Sequence, residues 1–405
     1  MKILVQKFGG TSVATEERRS KAADKIIKSK RDGYSPIVVV SAMGRGGDPY
    51  ATDTLLGLVK STSEDSDKRE MDMVMACGEI ISCNVFCSML RSKGVACSSL
   101  TGGQAGIITD DNFGNASIIK VETERLYNLL KNGIIPVVAG FQGITEDGDI
   151  TTIGRGGSDT TAAVIGEAIK AEEIQIYTDV GGIMTADPRI VPDARVIKTM
   201  SYNEVFQLAD MGAKVIHPRA VEFAMRGNIP IVIKNTMSDE PGTYITNYYK
   251  DGISSPLVTG ITYMANRTQI YIENKNGEYF DDEKLFTALA QNKISIDLIN
   301  VFPTHKVFTI DDECTQKTEY ILKQFDLKYS KVENCSKISV IGSLIRGVPG
   351  IMARIIKALK SENIEILQTS DSHTTIWCLV RDKDTAKAIN ALHSEFNLSK
   401  VDKMQ

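Results

Sequence analysis

Lys7 opens the stretch KFGGTS (7–12), directly after the apolar run Ile3-Leu4-Val5. A strand ending on Gly9 and Gly10 lets backbone N–H groups approach an anion without side chains in the way, and the lysine adds positive charge. The stretch is neither a Walker A motif nor GxGxxG. An ordinary strand-to-helix turn with a solvated lysine would use the same residues. A second cluster, TTIGRGGSDTTAA (151–163), sets Gly154, Gly156 and Gly157 ahead of Ser158 and Asp159. Either of those two can cap the helix that follows, and that helix N-terminus is another anion site. Arg155 can grip a carboxylate or phosphate at two points. Asp159, an acid beside an anion site, is placed to orient Lys7. The plainer alternative is a capped helix behind a flexible glycine loop.

Three further stretches carry polar groups of the same kind. In YTDVGGIMTADPR (177–189), Thr178 and Asp179 stand at the end of a buried strand, and Asp187-Pro188-Arg189 closes the turn. A β-turn loop is the simpler reading. In GAKVIHPRAVEFA (212–224), Lys214 and His217 precede a helix starting near Pro218, a favoured first-turn proline. His217 reads as structural rather than catalytic. Glu79 lies in the mainly apolar stretch MACGEIIS, where a carboxylate needs a partner: a substrate ammonium group or another side chain.

The elements that must position these residues alternate. Apolar, β-branched runs at Ile3–Gln6, Ile37–Ser41, Ala96–Leu100, Ile135–Ala139, Ile174–Tyr177 and Ile231–Ile233 read as strands buried on both faces. Helical periodicity lies between them, at Ala22–Ile27, Met73–Leu90, Ile118–Leu130 and Thr160–Ile169. This implies an α/β fold with a mostly parallel sheet sandwiched by helices, and ligands at the carboxyl ends of its strands. A polar, turn-rich segment, YYKDGISSP (248–256), marks a boundary. Beyond it the layout at 268–325 recurs at 337–395, giving two βαββαβ units of the ferredoxin-like kind.

Composition narrows the classes. The chain has 405 residues, enough for two or three domains. With 47 Lys plus Arg against 51 Asp plus Glu, the net charge is −4, so no nucleic-acid-coating surface is expected. No signal peptide or membrane-spanning run stands out. Seven cysteines without a CxxC pair read as reduced thiols of a cytoplasmic protein, and no metal site is expected. Cys77, Cys83, Cys87 and Cys97 read as core packing.

Taken in order, KFGGTSV (7–13), VVVSAMG (38–44), ATDTLL (51–56), Gly78-Glu79, PVVAGFQG (136–143), GRGGSDTTA (154–162), YTDV (177–180), TADPR (185–189) and GAKVIHPRAVE (212–222) resemble the aspartate kinases of the amino-acid kinase family. The match covers essentially the whole chain, and the C-terminal repeat looks like the tandem ACT regulatory domains of these enzymes. SAMGRGGDPYATDTLL (41–56) and SDSHTTIWCLV (370–380) further resemble the diaminopimelate-sensitive branch found in Bacillus-type bacteria. The resemblance implies a kinase domain at 1–250, a first ACT unit at 265–331, and a second at 257–264 plus 336–405. It also implies transfer of a phosphoryl group from ATP, with Mg2+, to the side-chain carboxylate of L-aspartate, opening lysine, threonine and methionine synthesis.

By the same resemblance, Lys7, Asp159 and Lys214 are catalytic, with Lys7, Gly9 and Gly10 on the transferring phosphoryl group and Lys214 on the leaving side. Arg155 and Glu79 hold aspartate by carboxylate and ammonium. Thr11, Ser12, Ser41, Thr52, Gly156, Gly157 and Ser158 supply further substrate contacts. Thr178, Asp179, Met184, Asp187 and Arg189 line the nucleotide pocket. A homodimer through the ACT domains and an amino-acid effector, diaminopimelate ahead of lysine, are implied. Effector contacts are expected at Glu278, Asp281, Val348, Gly350, Asn363, Ile364, Ser370 and Asp371. The second repeat keeps the Pro-Gly turn, at Pro349-Gly350; the first has NKNGEYFDDEKLF (274–286) instead. Two other classes compete: a family member acting on glutamate, acetylglutamate, carbamate or UMP, and a non-catalytic amino-acid sensor.

Overall fold

A computed structural model describes residues 1–400 apart from 64, 211–214, 248–256, 274–281, 344 and 346–347. The chain forms two compact units. The first takes Met1–Ile183, Val196–Asp210 and most of the chain up to 254; the second takes Met184–Arg195 and the chain from 255 onward.

The first unit is built on an eight-stranded sheet. Its strands are β1 (Ile3–Phe8), β2 (Ser35–Val40), β3 (Cys97–Leu100), β6 (Ile135–Ala139), β9 (Glu173–Thr178), β10 (Thr199–Ser201), β11 (Ile231–Asn235) and β12 (Thr243–Thr246). The order is β10-β12-β11-β9-β1-β2-β6-β3, and every pairing is parallel except β11 with β12. The apolar runs in the sequence become the inner strands because both faces are covered: Val38, Val39 and Val40 are fully buried. Phe8 stacks on Tyr177 at 4.7 Å between ring centroids. Helices α2 (Glu16–Arg31), α4 (Lys68–Ser92) and α6 (Gly157–Ile169) cover the sheet. α1 (Gly10–Val13), α3 (Thr52–Lys60), α5 (Glu124–Lys131), α7 (Tyr202–Asp210) and α8 (Pro218–Gly227) complete the helices described in this unit.

The expected helix at Ile118–Leu130 is two elements. Ile118–Val121 is a strand, β5, and the helix begins only at Glu124. Its β-branched residues suit a half-exposed strand pairing with β4 (Ile107–Thr109). With β7 (Gln142–Ile144) and β8 (Ile150–Thr152) these form a separate four-stranded sheet, order β5-β4-β7-β8. Helix α4 is, among the described residues, the one long and apolar enough to cross a membrane by length and composition. Half of its apolar window is buried, and it carries Asp72 and Glu79 on its buried face, which fits a core helix. Cys83, Cys87 and Cys97 are buried around it, while Cys77 is exposed and so contributes no core packing.

The second unit is a six-stranded antiparallel sheet, order β14-β15-β13-β16-β18-β17. Two 14-residue strands, β13 (Gly260–Glu273) and β16 (Lys328–Ile341), run through both repeats and pair from Gly260–Ile341 to Glu273–Lys328. One half adds β14 (Asp297–Val301), β15 (His305–Asp311), α9 (Asp282–Gln291) and α10 (Thr315–Gln324). The other adds β17 (Gln368–Asp371), β18 (Thr375–Arg381), α11 (Ile351–Ser361) and α12 (Thr385–Glu395). Each pair of helices has its own apolar core against its half of the sheet. The segment Met184–Arg195 belongs to this unit. Ala186 and Val191 sit in its core, and Thr185 meets His393 of α12 at 3.0 Å.

Candidate active site

Strand register brings the first group of residues together. Phe8 pairs with Val40 on one side and Tyr177 on the other, so the residues after β1, β2 and β9 emerge side by side. Backbone bonds tie them: Gly9 N donates to Tyr177 O at 3.1 Å, Ser41 N to Phe8 O at 3.1 Å, and Gly44 N to Gly10 O at 3.1 Å. The glycine at position 10 is required by this closeness. A Cβ there would lie 2.7 Å from both Ala42 O and Gly44 O.

Lys7 points into this turn. Its Nζ lies 2.6 Å from Asp159 Oδ1, and the two side chains are 11% and 13% exposed. The contact is an ion pair rather than an aligned hydrogen bond. The acid comes from the first turn of α6. Neither Ser158 nor Asp159 caps α6. The cap position is Gly156, in the left-handed region at φ 68°, and the helix starts at Gly157. Only glycine fits there, since a Cβ would lie 2.2 Å from His217 Cγ. Ser158 is buried, and Arg155 is exposed at the tip of the loop. His217 caps α8, its Nδ1 accepting from Arg219 N at 3.3 Å. Burial holds its imidazole below the usual value against the opposing pull of Asp159.

Glu79 is the second charged feature. It is 3% exposed, one oxygen accepts from Ala42 N at 3.1 Å, and the other has no hydrogen-bond partner. Burial pushes its carboxyl up to about 8. A buried oxygen left unpaired next to the β2 turn suits a cationic ligand, which would pull the group back to its charged form.

The other expected residues divide. Thr11, Ser41 and Thr52 are half-buried at the strand ends and at the start of α3. Ser12 is buried with its hydroxyl occupied, donating to Tyr177 O at 3.3 Å and accepting from Thr236 Oγ1 at 2.6 Å, so it braces α1 instead of facing a ligand. Asp179, beyond Thr178, takes Arg45 Nη2 at 2.7 Å. Met184, Asp187 and Arg189 fall in the second unit, where Arg189 donates to both oxygens of Asp187. In the same unit Val348 is exposed, and Gly350 precedes α11 at φ 92°. Asn363 is left-handed at φ 55°, and Ser370 and Asp371 lie on the edge strand β17. Ile364 is 6% exposed within the apolar core, so its side chain is packing rather than a contact. Lys214, Glu278 and Asp281 lie outside the described residues.

Sequence reading missed Arg45, Asp72 and Arg219. Asp72 left a trace: an acid in an apolar helix, seven residues before Glu79, which is two turns and so the same face. Among the described residues no group of three or more His, Cys, Asp or Glu could hold a metal ion.

A lysine held by an aspartate from a helix's first turn, beside a glycine turn at the carboxyl ends of parallel strands, suits a phosphoryl-transfer enzyme of the amino-acid kinase class. The model of the amino acid kinase family matches residues 2–235, and an ACT domain model matches residues 330–394. Aspartokinase 1 of Bacillus subtilis (strain 168) is 47% identical over 404 residues, covering 99% of this chain and 100% of that protein. The structure of E. coli aspartokinase III in complex with aspartate and ADP (R-state) aligns with a TM-score of 0.79 at 25% identity, over 97% of this chain and 99% of that one. The same enzyme with lysine and aspartate (T-state) aligns with a TM-score of 0.76, also at 25% identity and over the same shares. The chain belongs to the amino acid kinase family and, within it, to the aspartokinases.

Proposed function

We propose that this chain transfers the terminal phosphoryl group of ATP to the side-chain carboxylate of L-aspartate, giving 4-phospho-L-aspartate, with Lys7 as the central charge. The observation that carries the reading is the Lys7–Asp159 pair at 2.6 Å beside the Gly9-Gly10 turn. The acceptor carboxylate is already ionised at pH 7, so no general base is needed. The obstacle is an anion attacking a polyanion, and catalysis is positioning plus charge neutralisation. Lys7 and the amides of Gly9 and Gly10 stabilise the transferring group, and Asp159 fixes the lysine's direction. Lys214 serves the leaving-phosphate side. Arg155 takes a carboxylate of aspartate and Glu79 its ammonium, with Thr11, Ser41, Thr52 and Ser158 as polar contacts.

Thr178 and Asp179 serve the nucleotide. Mg2+ on the ATP phosphates supplies further charge neutralisation when bound. The E. coli relative's lysine complex and the ACT match support an amino-acid effector for this chain, and the resemblance of 370–380 to the diaminopimelate-sensitive branch puts diaminopimelate ahead of lysine. A cytoplasmic homodimer paired through its ACT units completes the reading. The test is Lys7→Ala. Steady-state ADP release with Mg-ATP and L-aspartate should fall about 10²–10³-fold in kcat with the fold retained by circular dichroism. Normal turnover of that variant would remove Lys7 from the mechanism.

A further inference from the structure

The glycine loop 153–157 is tied by main chain at its two ends, Ile153 N donating to Phe141 O at 3.0 Å and Gly157 N to Gly154 O at 3.1 Å. Three of its five residues are glycine, and Gly154 and Gly156 are left-handed at φ 77° and 68°. Such a segment has a large conformational freedom to lose, so anchors outside it decide where Arg155 stands. Three side-chain anchors add to the main-chain bonds. His217 packs against Gly156, and Arg219 Nη1 donates to Ile153 O at 2.9 Å. The third is Asp72, which is fully buried on α4. One of its oxygens accepts from Thr152 N at 2.8 Å and from Gly114 N at 2.9 Å; the other accepts from Thr152 Oγ1 at 2.7 Å. Thr152 is the last residue of β8, directly before the loop. The Gly114 bond fixes the neighbouring turn as well, and Asn115 of that turn fills the space a Cβ on Gly154 would need, its Oδ1 only 2.5 Å from that point.

We propose that Asp72 is a positioning residue for aspartate binding: it locks Thr152 and the 112–115 turn, and through them sets the glycine loop that carries Arg155. This rests on the assignment of Arg155 to the aspartate carboxylate. Asp72 and Glu79 share one face of α4, two turns apart, so a single helix sets the distance between the carboxylate end and the ammonium end of the substrate. The role predicts a split in the kinetics. Misplacing Arg155 weakens aspartate more than ATP, whose proposed contacts at Thr178 and Asp179 lie at the β9 end.

The test is steady-state kinetics of the full chain with Asp72→Ala, Asp72→Asn, Thr152→Val and, as a control, Arg155→Ala. Asp72→Ala should raise the KM for aspartate about tenfold or more while the KM for ATP stays within about twofold. Asp72→Asn should recover most of the loss, because its amide oxygen can keep the two backbone N–H bonds while its NH2 donates to Thr152 Oγ1. Thr152→Val, which removes one hydroxyl and leaves the helix intact, should raise the aspartate KM by a smaller factor and keeps the test open if Asp72→Ala does not fold. Unchanged aspartate KM in the folded variants, or equal rises for aspartate and ATP, would overturn the positioning role while Arg155→Ala still raises the aspartate KM. If Arg155→Ala itself leaves that KM unchanged, the assignment of the loop falls and the inference with it.

Discussion

The two glycine turns of the first unit are held in different ways. The turn at Gly9-Gly10 is fixed by main chain: it continues a central strand, and hydrogen bonds from the neighbouring β2 and β9 ends lock it on both sides. The loop at Gly154–Gly157 has main-chain bonds from Gly157 N to Gly154 O and from Thr160 N to Gly156 O, and side chains brace it as well, Asp72 at Thr152, Arg219 at Ile153 and His217 against Gly156. The first is as rigid as the sheet. The second is as rigid as its anchors, and it carries the exposed Arg155. A phosphoryl group needs a fixed cradle, whereas a small substrate that must enter and leave is better served by a loop that can be tuned. The Lys7–Asp159 pair joins the two.

Cutting that joint from the loop's side should have the largest effect after Lys7→Ala. Asp159→Asn leaves Lys7 at the turn without its partner, and kcat should fall about 10–10²-fold with the aspartate KM much less affected. Steady-state ADP release reads this; a change confined to KM would mean that Asp159 serves only the substrate loop. Gly156→Ala strains the second turn alone. The left-handed backbone costs about 1–2 kcal/mol, and the clash with His217 adds to it. Urea unfolding should show a lowered midpoint, whereas an unchanged midpoint would mean the loop relaxes without its anchors.

The smallest effect is on Glu79, which accepts from Ala42 N beside the first turn. Its carboxyl is raised from 4.5 to about 8 in the folded chain. A raised acid costs stability once the pH exceeds 4.5, and the cost grows until about 8. Glu79→Gln should therefore gain Tm relative to the parent chain as pH climbs through that window, and a pH-independent difference would contradict it. In the parent chain, aspartate should bind more tightly as pH rises toward 8 and Glu79 ionises. Glu79→Gln should bind weakly at every pH.

What the sequence revealed follows the same division. The inner strands were legible because parallel strands buried on both faces must be unbroken apolar runs, as at Val38–Val40. KFGGTS was legible because its restraints are local to a strand end. The cap of α6 was misassigned because Ser158 and Asp159 are good caps in isolation, and nothing local says that Gly156 is wedged against His217 and must take the left-handed turn. Ile118–Val121 was read as helix because its apolar spacing fits either period, and only the pairing partner Ile107–Thr109 decides. Asp72 and Arg219 were hidden because their role lies in what they touch across 80 and 66 residues of chain. The membership of Met184–Arg195 in the second unit was hidden too, since its scattered apolar residues, broken by Pro188 and Pro192, give no periodic signal.

The measurement that bears most directly on the account is ADP release by the purified chain with Mg-ATP and either L-aspartate or L-glutamate. One helix carrying Asp72 and Glu79 sets a fixed span for the acceptor, so the account predicts turnover with aspartate and, because glutamate is one methylene longer, a kcat/KM at least about tenfold lower with glutamate. Equal turnover of the two, or turnover with glutamate alone, would contradict it.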